Sequence, residues 1–157
     1  MRVIEEIIIQ ASLEDVFQVV SDYQRWPEFL SVNKKVTLLK REAGQDFYEV
    51  FHQRNGTLEK SICVREEISK RHIRFQLTNP HFTYLKGEWI LEPSGTGVKL
   101  ISVHDFELKV PLAFSFIKGL LERLLVKRLF FDKTTPVTLQ ELKKRAEEKG
   151  VGRIAEK

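Results

Sequence analysis

With 157 residues, 42% of them hydrophobic and 31% charged, the chain has the make-up of one globular domain, too short for two comfortable ones and too apolar for disorder. Its net charge of +4 is scattered in small clusters (Lys34 and Lys35; Lys40 and Arg41; Lys143, Lys144 and Arg145) rather than gathered in one stripe, which argues against a dedicated nucleic-acid or ribosome binder. A single cysteine, Cys63, excludes an intrachain disulfide and fits a reducing, cytoplasmic setting.

Residues 2–10 are β-branched and read as a strand; Glu5 and Glu6 interrupt the apolar run that a signal peptide needs. Ser12 then caps a short helix to about Asp22, with Glu14 and Asp15 at its positive end and Leu13, Val16, Phe17 and Val20 at helical spacing. Pro27 suits the first turn of a second short helix. From Val32 onward the period becomes two. Strands are expected at 32–42, 46–54, 57–68, 72–78, 82–92 and 97–108, separated by turn signals that include Asn55-Gly56 and Asn79-Pro80. Such short connections make an antiparallel meander. After Pro111 a helical period runs to about Lys149, with Pro136 as a kink or a fresh cap, and 150–157 reads as a frayed tail to a single domain of residues 1–149. Within it the most apolar window, 112–131, carries Lys118, Glu122, Arg123, Lys127 and Arg128, so no membrane span is expected.

One long antiparallel sheet must cover its apolar face, and the terminal helix is the element long enough to do so. The expected fold is therefore α+β: a curved seven-stranded antiparallel sheet around a long C-terminal helix, with a gap between them that side chains do not fill.

The stretch Gln10-Ala11-Ser12-Leu13-Glu14-Asp15-Val16-Phe17, followed by Ser21-Asp22-Tyr23-Gln24-Arg25-Trp26-Pro27-Glu28-Phe29-Leu30, resembles the opening signature of the START-like superfamily. Its polyketide cyclase/aromatase and coenzyme Q-binding branches are the nearest. Gly87-Glu88-Trp89, Gly95-Thr96-Gly97 and His104-Asp105-Phe106-Glu107-Leu108 are similar to later segments of the same group. The resemblance implies a helix-grip fold, shared with the birch pollen allergen and lipid-transfer domains, and an internal hydrophobic cavity. It does not name the ligand.

Candidate site residues follow from strand alternation. Leu85, Gly87, Trp89 and Leu91 face inward opposite Lys86 and Glu88, making Trp89 either a cavity wall or plain core. Leu100, Ser102, His104 and Phe106 share one face of the last strand, where Ser102 and His104 are polar handles for a ligand unless His104 sits exposed near the strand end. In the middle strand, periodicity puts Leu58, Ile62, Val64 and Ile68 inside and Glu59, Ser61, Cys63 and Arg65 in water. The resemblance implies the reverse, since aromatase/cyclases hold a cavity arginine about where Arg65 falls; Glu59 or Glu67 would then partner it. Those cyclases have aromatic residues where Glu59 and Ser61 stand here, which counts against aromatic polyketide cyclisation. Trp26 and Phe29 shape the cavity mouth or staple the short helices. Phe116, Leu120 and Leu124 belong to a segment apolar over too much of its circumference for one buried stripe, which fits a cavity lid, a homodimer contact or a transient membrane surface.

No metal site, phosphate loop or cofactor motif is legible. The leading expectation is a module that binds or transports a hydrophobic small molecule: a lipid, an isoprenoid quinone or a polyketide-like chain. An alternative is a polyketide cyclase/dehydratase in which Arg65 steadies an enolate and His104 moves a proton. A third, implied by toxin-like members on the coenzyme Q side of the resemblance, is a ribosome-associated interaction protein.

Overall fold

The structure, a computed structural model, describes residues 1–54, 56–111, 116–121, 123–124 and 132–155. Among the described residues there are seven strands: β1 (Arg2–Ile9), β2 (Asn33–Glu42), β3 (Gln45–Arg54), β4 (Thr57–Ser69), β5 (His72–Thr78), β6 (Phe82–Ser94) and β7 (Gly97–Leu108). All pair antiparallel in the order β1-β7-β6-β5-β4-β3-β2, so the meander is a run of hairpins and β1 closes onto the last strand. Between β1 and β2 lie helix α1 (Leu13–Ser21) and a 3-10 helix (Tyr23–Glu28). After β7 come the short α2 (Lys118–Leu121) and the long α3 (Asp132–Ala155).

Local chemistry accounts for these boundaries. Ser12 caps α1: its Oγ accepts from the Asp15 amide at 3.1 Å and donates to the Asp15 carboxylate at 2.6 Å. The β2–β3 turn is two residues long, Ala43 and Gly44, both at positive φ (51° and 78°), the hairpin geometry whose twist matches that of the flanking strands. Helix α3 runs past Lys149, where the helical pattern was expected to fray, to Ala155, and it holds Pro136 as its fifth residue, close to its start.

The core is where α3 meets the sheet and α1. Thr135, Leu139, Leu142 and Ala146 recur at helical spacing and are buried. The last three pack with Ile9, Val16, Val20, Leu91 and Leu100. Polar ties fasten the same half of the helix: Glu147 accepts from the Gln10 amide, Glu141 from the Ser31 amide, and Lys143 donates to the Ile8 carbonyl. The opening turns of α3 lie instead along a cavity.

Candidate ligand cavity

Strand register sets the cavity wall. One line of paired residues crosses the sheet as Val3, His104, Gly87, Phe75, Arg65, Asp46 and Arg41. The next inward line runs Phe106, Leu85, Leu77, Cys63, Tyr48 and Leu38. Between these lines and the start of α3 is a cavity of about 170 Å³. That is roughly ten times what a single water needs. Its wall is mainly apolar and aromatic, with Thr134, Thr135 and Thr138 contributed by α3.

The face of β4 answers the conflict between periodicity and resemblance. Ser61, Cys63 and Arg65 are 1%, 1% and 3% exposed, whereas Leu58 and Ile68 are 57% and 41% exposed. The periodicity reading of this strand is thus inverted: alternation finds the two faces, but the rule that the apolar face turns inward presumes a filled interior. Here the inner face meets a cavity.

Arg65 is held from several sides. It donates to the Val20 carbonyl and to Glu67, each at 3.3 Å, and its guanidinium lies 5.0 Å from the Tyr23 ring centre. Tyr23 stacks on Tyr48 at 4.3 Å and donates its hydroxyl to Asp46 at 2.6 Å; Asp46 also accepts from Arg41. Burial, aided by the Asp46 carboxylate, pushes the Tyr23 phenol up to about 12. Burial likewise raises Tyr48 well above its ordinary value and Cys63 to about 11, so the cavity thiol is protonated at neutral pH and is not a nucleophile poised for attack.

His104 stands on the same cross-sheet line. Burial lowers its imidazole to about 4, which keeps it neutral at physiological pH. Its Nδ1 is 3.4 Å from the Ser102 hydroxyl, and the Phe75 ring meets it edge-on at 5.7 Å. Three strand spacings separate Arg65 from His104, roughly 14 Å along the sheet. The two groups therefore do not converge on one atom.

Of the residues singled out from sequence, Trp26, Arg65, Leu85, Trp89 and His104 line the cavity. Ser102 is buried behind the wall and touches it through His104. Phe106 is also behind it, edge-on to Phe82 at 5.8 Å. Phe29 lies off the cavity, its ring 5.6 Å from the Arg145 guanidinium on α3. Phe116, Leu120 and Leu124 are 84%, 57% and 48% exposed and add nothing to the wall. Leu112, Phe114 and Leu125 of the same apolar segment lie outside the described residues. Among the described residues, no group of three or more His, Cys, Asp or Glu side chains could hold a metal, and no helix is long and apolar enough to cross a membrane.

Residues 9–131 match the family model described as polyketide cyclase / dehydrase and lipid transport. The chain belongs to that family. Among curated proteins, the bifunctional cyclase/dehydratase of the actinorhodin polyketide synthase of Streptomyces coelicolor is 23% identical over 109 residues, 67% of this chain. The chain spans 34% of that relative's length. Among solved structures, a Thermus thermophilus protein superimposes with a TM-score of 0.78 at 22% identity, covering 93% of this chain and 97% of that one. The Zhui aromatase/cyclase of a Streptomyces species gives 0.78 at 18% identity over 94% and 93% of the two chains. Ara h 8 gives 0.69 at 13% identity over 97% and 98%. At such identities the likeness is one of fold: the START-like helix-grip arrangement.

This polyketide cyclase/dehydrase-family chain also carries wall residues that sequence reading passed over. Phe75 had a signal, because Ile73, Phe75 and Leu77 alternate with His72, Arg74 and Gln76 in β5. Asn33, His52 and Asn79 had none: polar residues on an inward face look, in sequence, like residues on an outward one.

Proposed function

We propose that the chain binds an elongated hydrophobic small molecule, of the lipid, isoprenoid quinone or polyketide-like kind, between its sheet and the opening of α3. The observation that carries this reading is a mainly apolar cavity with a buried, braced arginine in its wall. Apolar area supplies the attraction, at roughly 25 cal/mol per Å² before the costs of association. Arg65 supplies orientation, since its remaining N–H groups suit a carbonyl, enolate or carboxylate oxygen. The chain holds two tryptophans, Trp26 and Trp89, and both line the cavity. Intrinsic fluorescence is therefore a direct reporter. Titration with a C15-type isoprenoid quinone or a long-chain fatty acid is expected to quench it saturably, and native mass spectrometry of the purified protein is expected to find a co-purified small molecule. Unquenched emission throughout, with no bound mass, would remove the proposal.

A second reading, a cyclase or dehydratase acting on a poly-β-keto chain, draws on the family and on Arg65 and His104 sharing one cross-sheet line. In that reading Arg65 steadies an enolate oxygen and neutral His104 takes up a proton farther along the chain. If Arg65→Ala and His104→Ala leave turnover of a surrogate polyketone unchanged, the enzymatic reading is lost and the binding reading stands.

A further inference from the structure

Asp46 stands directly opposite Arg65 across the β3–β4 pair, so the two side chains leave the same face of the sheet on neighbouring strands. A carboxylate and a guanidinium so placed ordinarily join in a bidentate ion pair. Here each is bonded elsewhere. One Asp46 oxygen, Oδ2, accepts from the Tyr23 hydroxyl at 2.6 Å, and the other, Oδ1, accepts from Arg41 Nε at 3.1 Å. Arg65 donates to the Val20 carbonyl and to Glu67, each at 3.3 Å. Those bonds take up two of the five guanidinium N–H groups.

The two holds on Asp46 differ in strength. Arg41 is a surface side chain, 65% exposed, and an ion pair in water contributes little. Tyr23 is 4% exposed, its bond is short and its acceptor is charged. Its ring stacks on Tyr48 at 4.3 Å and meets Trp26 edge-on at 6.5 Å, and both of those residues line the cavity. With its phenol pushed up to about 12, Tyr23 stays a donor through the neutral range. The same ring lies 5.0 Å from the Arg65 guanidinium. Tyr23 thus touches both halves of a pair that it holds apart.

We infer that Tyr23 is a positioning residue that keeps Asp46 from neutralising Arg65, leaving the guanidinium charge to an anionic oxygen on the guest, a carboxylate or an enolate. The inference rests on the binding reading above and adds the charge of the guest's head and a residue behind the wall that sets it. A neutral head makes weaker bonds to the same N–H groups and depends less on where Asp46 is held.

The test titrates palmitic acid and its neutral methyl ester calorimetrically into the native protein, Tyr23→Phe, Asp46→Asn and the double variant. Phenylalanine keeps the ring and removes only the hydroxyl. Release of Asp46 towards Arg65 predicts that Tyr23→Phe binds the acid about tenfold more weakly, with the ester altered less than about twofold. Asp46→Asn added to Tyr23→Phe is expected to restore acid binding to the native level, which a hydroxyl of merely structural value would not allow. Unchanged acid affinity in Tyr23→Phe, equal losses for acid and ester, or no recovery in the double variant overturns the inference and leaves the binding reading intact. A native protein that takes the ester but not the acid does the same. Should Tyr23→Phe not fold by circular dichroism, Asp46→Asn alone decides: it must bind the acid at least as tightly as the native protein, and weaker binding overturns the inference. Binding of neither compound by the native protein removes both readings.

Discussion

The ring of Phe75 rests on the backbone of Gly87: a Cβ at position 87 would come within 2.1 Å of Phe75 Cζ. The glycine thus makes room for a wall residue, and Phe75 fills the space between Arg65 and His104 on their shared line. Gly87→Ala is expected to destabilise the fold by about 1–3 kcal/mol, the usual cost of overpacking. Phe75→Leu in the same chain should recover most of that loss. Thermal or urea denaturation of the four members of this cycle checks the coupling, and additive effects would show that the two positions do not press on each other.

Burial of His104 has a consequence for stability against pH. Its pKa is about 4 in the fold, against roughly 6.5 in an unfolded chain. Between those values the unfolded chain holds the proton and the native one does not, so acid favours unfolding. The stabilisation is complete above about 6.5 and drains away as pH falls towards 4, by about 3 kcal/mol in total. His104→Gln cannot titrate. The difference in unfolding free energy between the native protein and this variant should be flat from pH 7 to 8 and slope downward over that acid window.

Arg65→Met separates recognition from folding. Methionine occupies much of the arginine stem's volume and removes a buried charge whose desolvation is unfavourable, so the melting temperature is expected to shift little. Affinity for a long-chain acid or quinone should fall at least about tenfold with the loss of charge-assisted hydrogen bonds. Calorimetric titration beside a thermal melt reads both quantities. A collapse in stability with unchanged affinity would make Arg65 a structural residue.

Ala43 sits at φ 51°, the left-handed region that a Cβ disfavours. Ala43→Gly is expected to stabilise the protein by about 0.5–1 kcal/mol, since here relief of strain outweighs the extra freedom gained by the unfolded chain. Ligand affinity should not change, because the turn is remote from the cavity wall. Denaturant midpoints compare the two chains.

How much of this was legible beforehand differs by element. The strands fall within two residues of their expected bounds because turn chemistry punctuates them: Gly44, Asn79-Pro80 and Gly95 each mark a connection whose backbone demands are local. Ser12 was readable as a cap for the same reason. The polarity of β4 was not, because alternation is symmetric and only the resemblance favoured an inward Arg65. Trp89 and Leu85 were readable as inward-facing from alternation, but whether Trp89 was cavity wall or plain core was not, since both place an aromatic beside Gly87. The Asn33, His52 and Asn79 cluster is assembled by register across separate strands, and no window along the chain holds its pattern.

Helix α3 is fastened by Leu139, Leu142, Ala146 and the ties of Glu141, Lys143 and Glu147, all on the far side of its threonine-lined opening. Docking energy is therefore concentrated away from the hollow. On the binding reading proposed above, variation at Thr134 or Thr138 is expected to retune which guest is accommodated while the anchorage that keeps the molecule folded goes untouched, so selectivity and foldedness are separable properties along one rod.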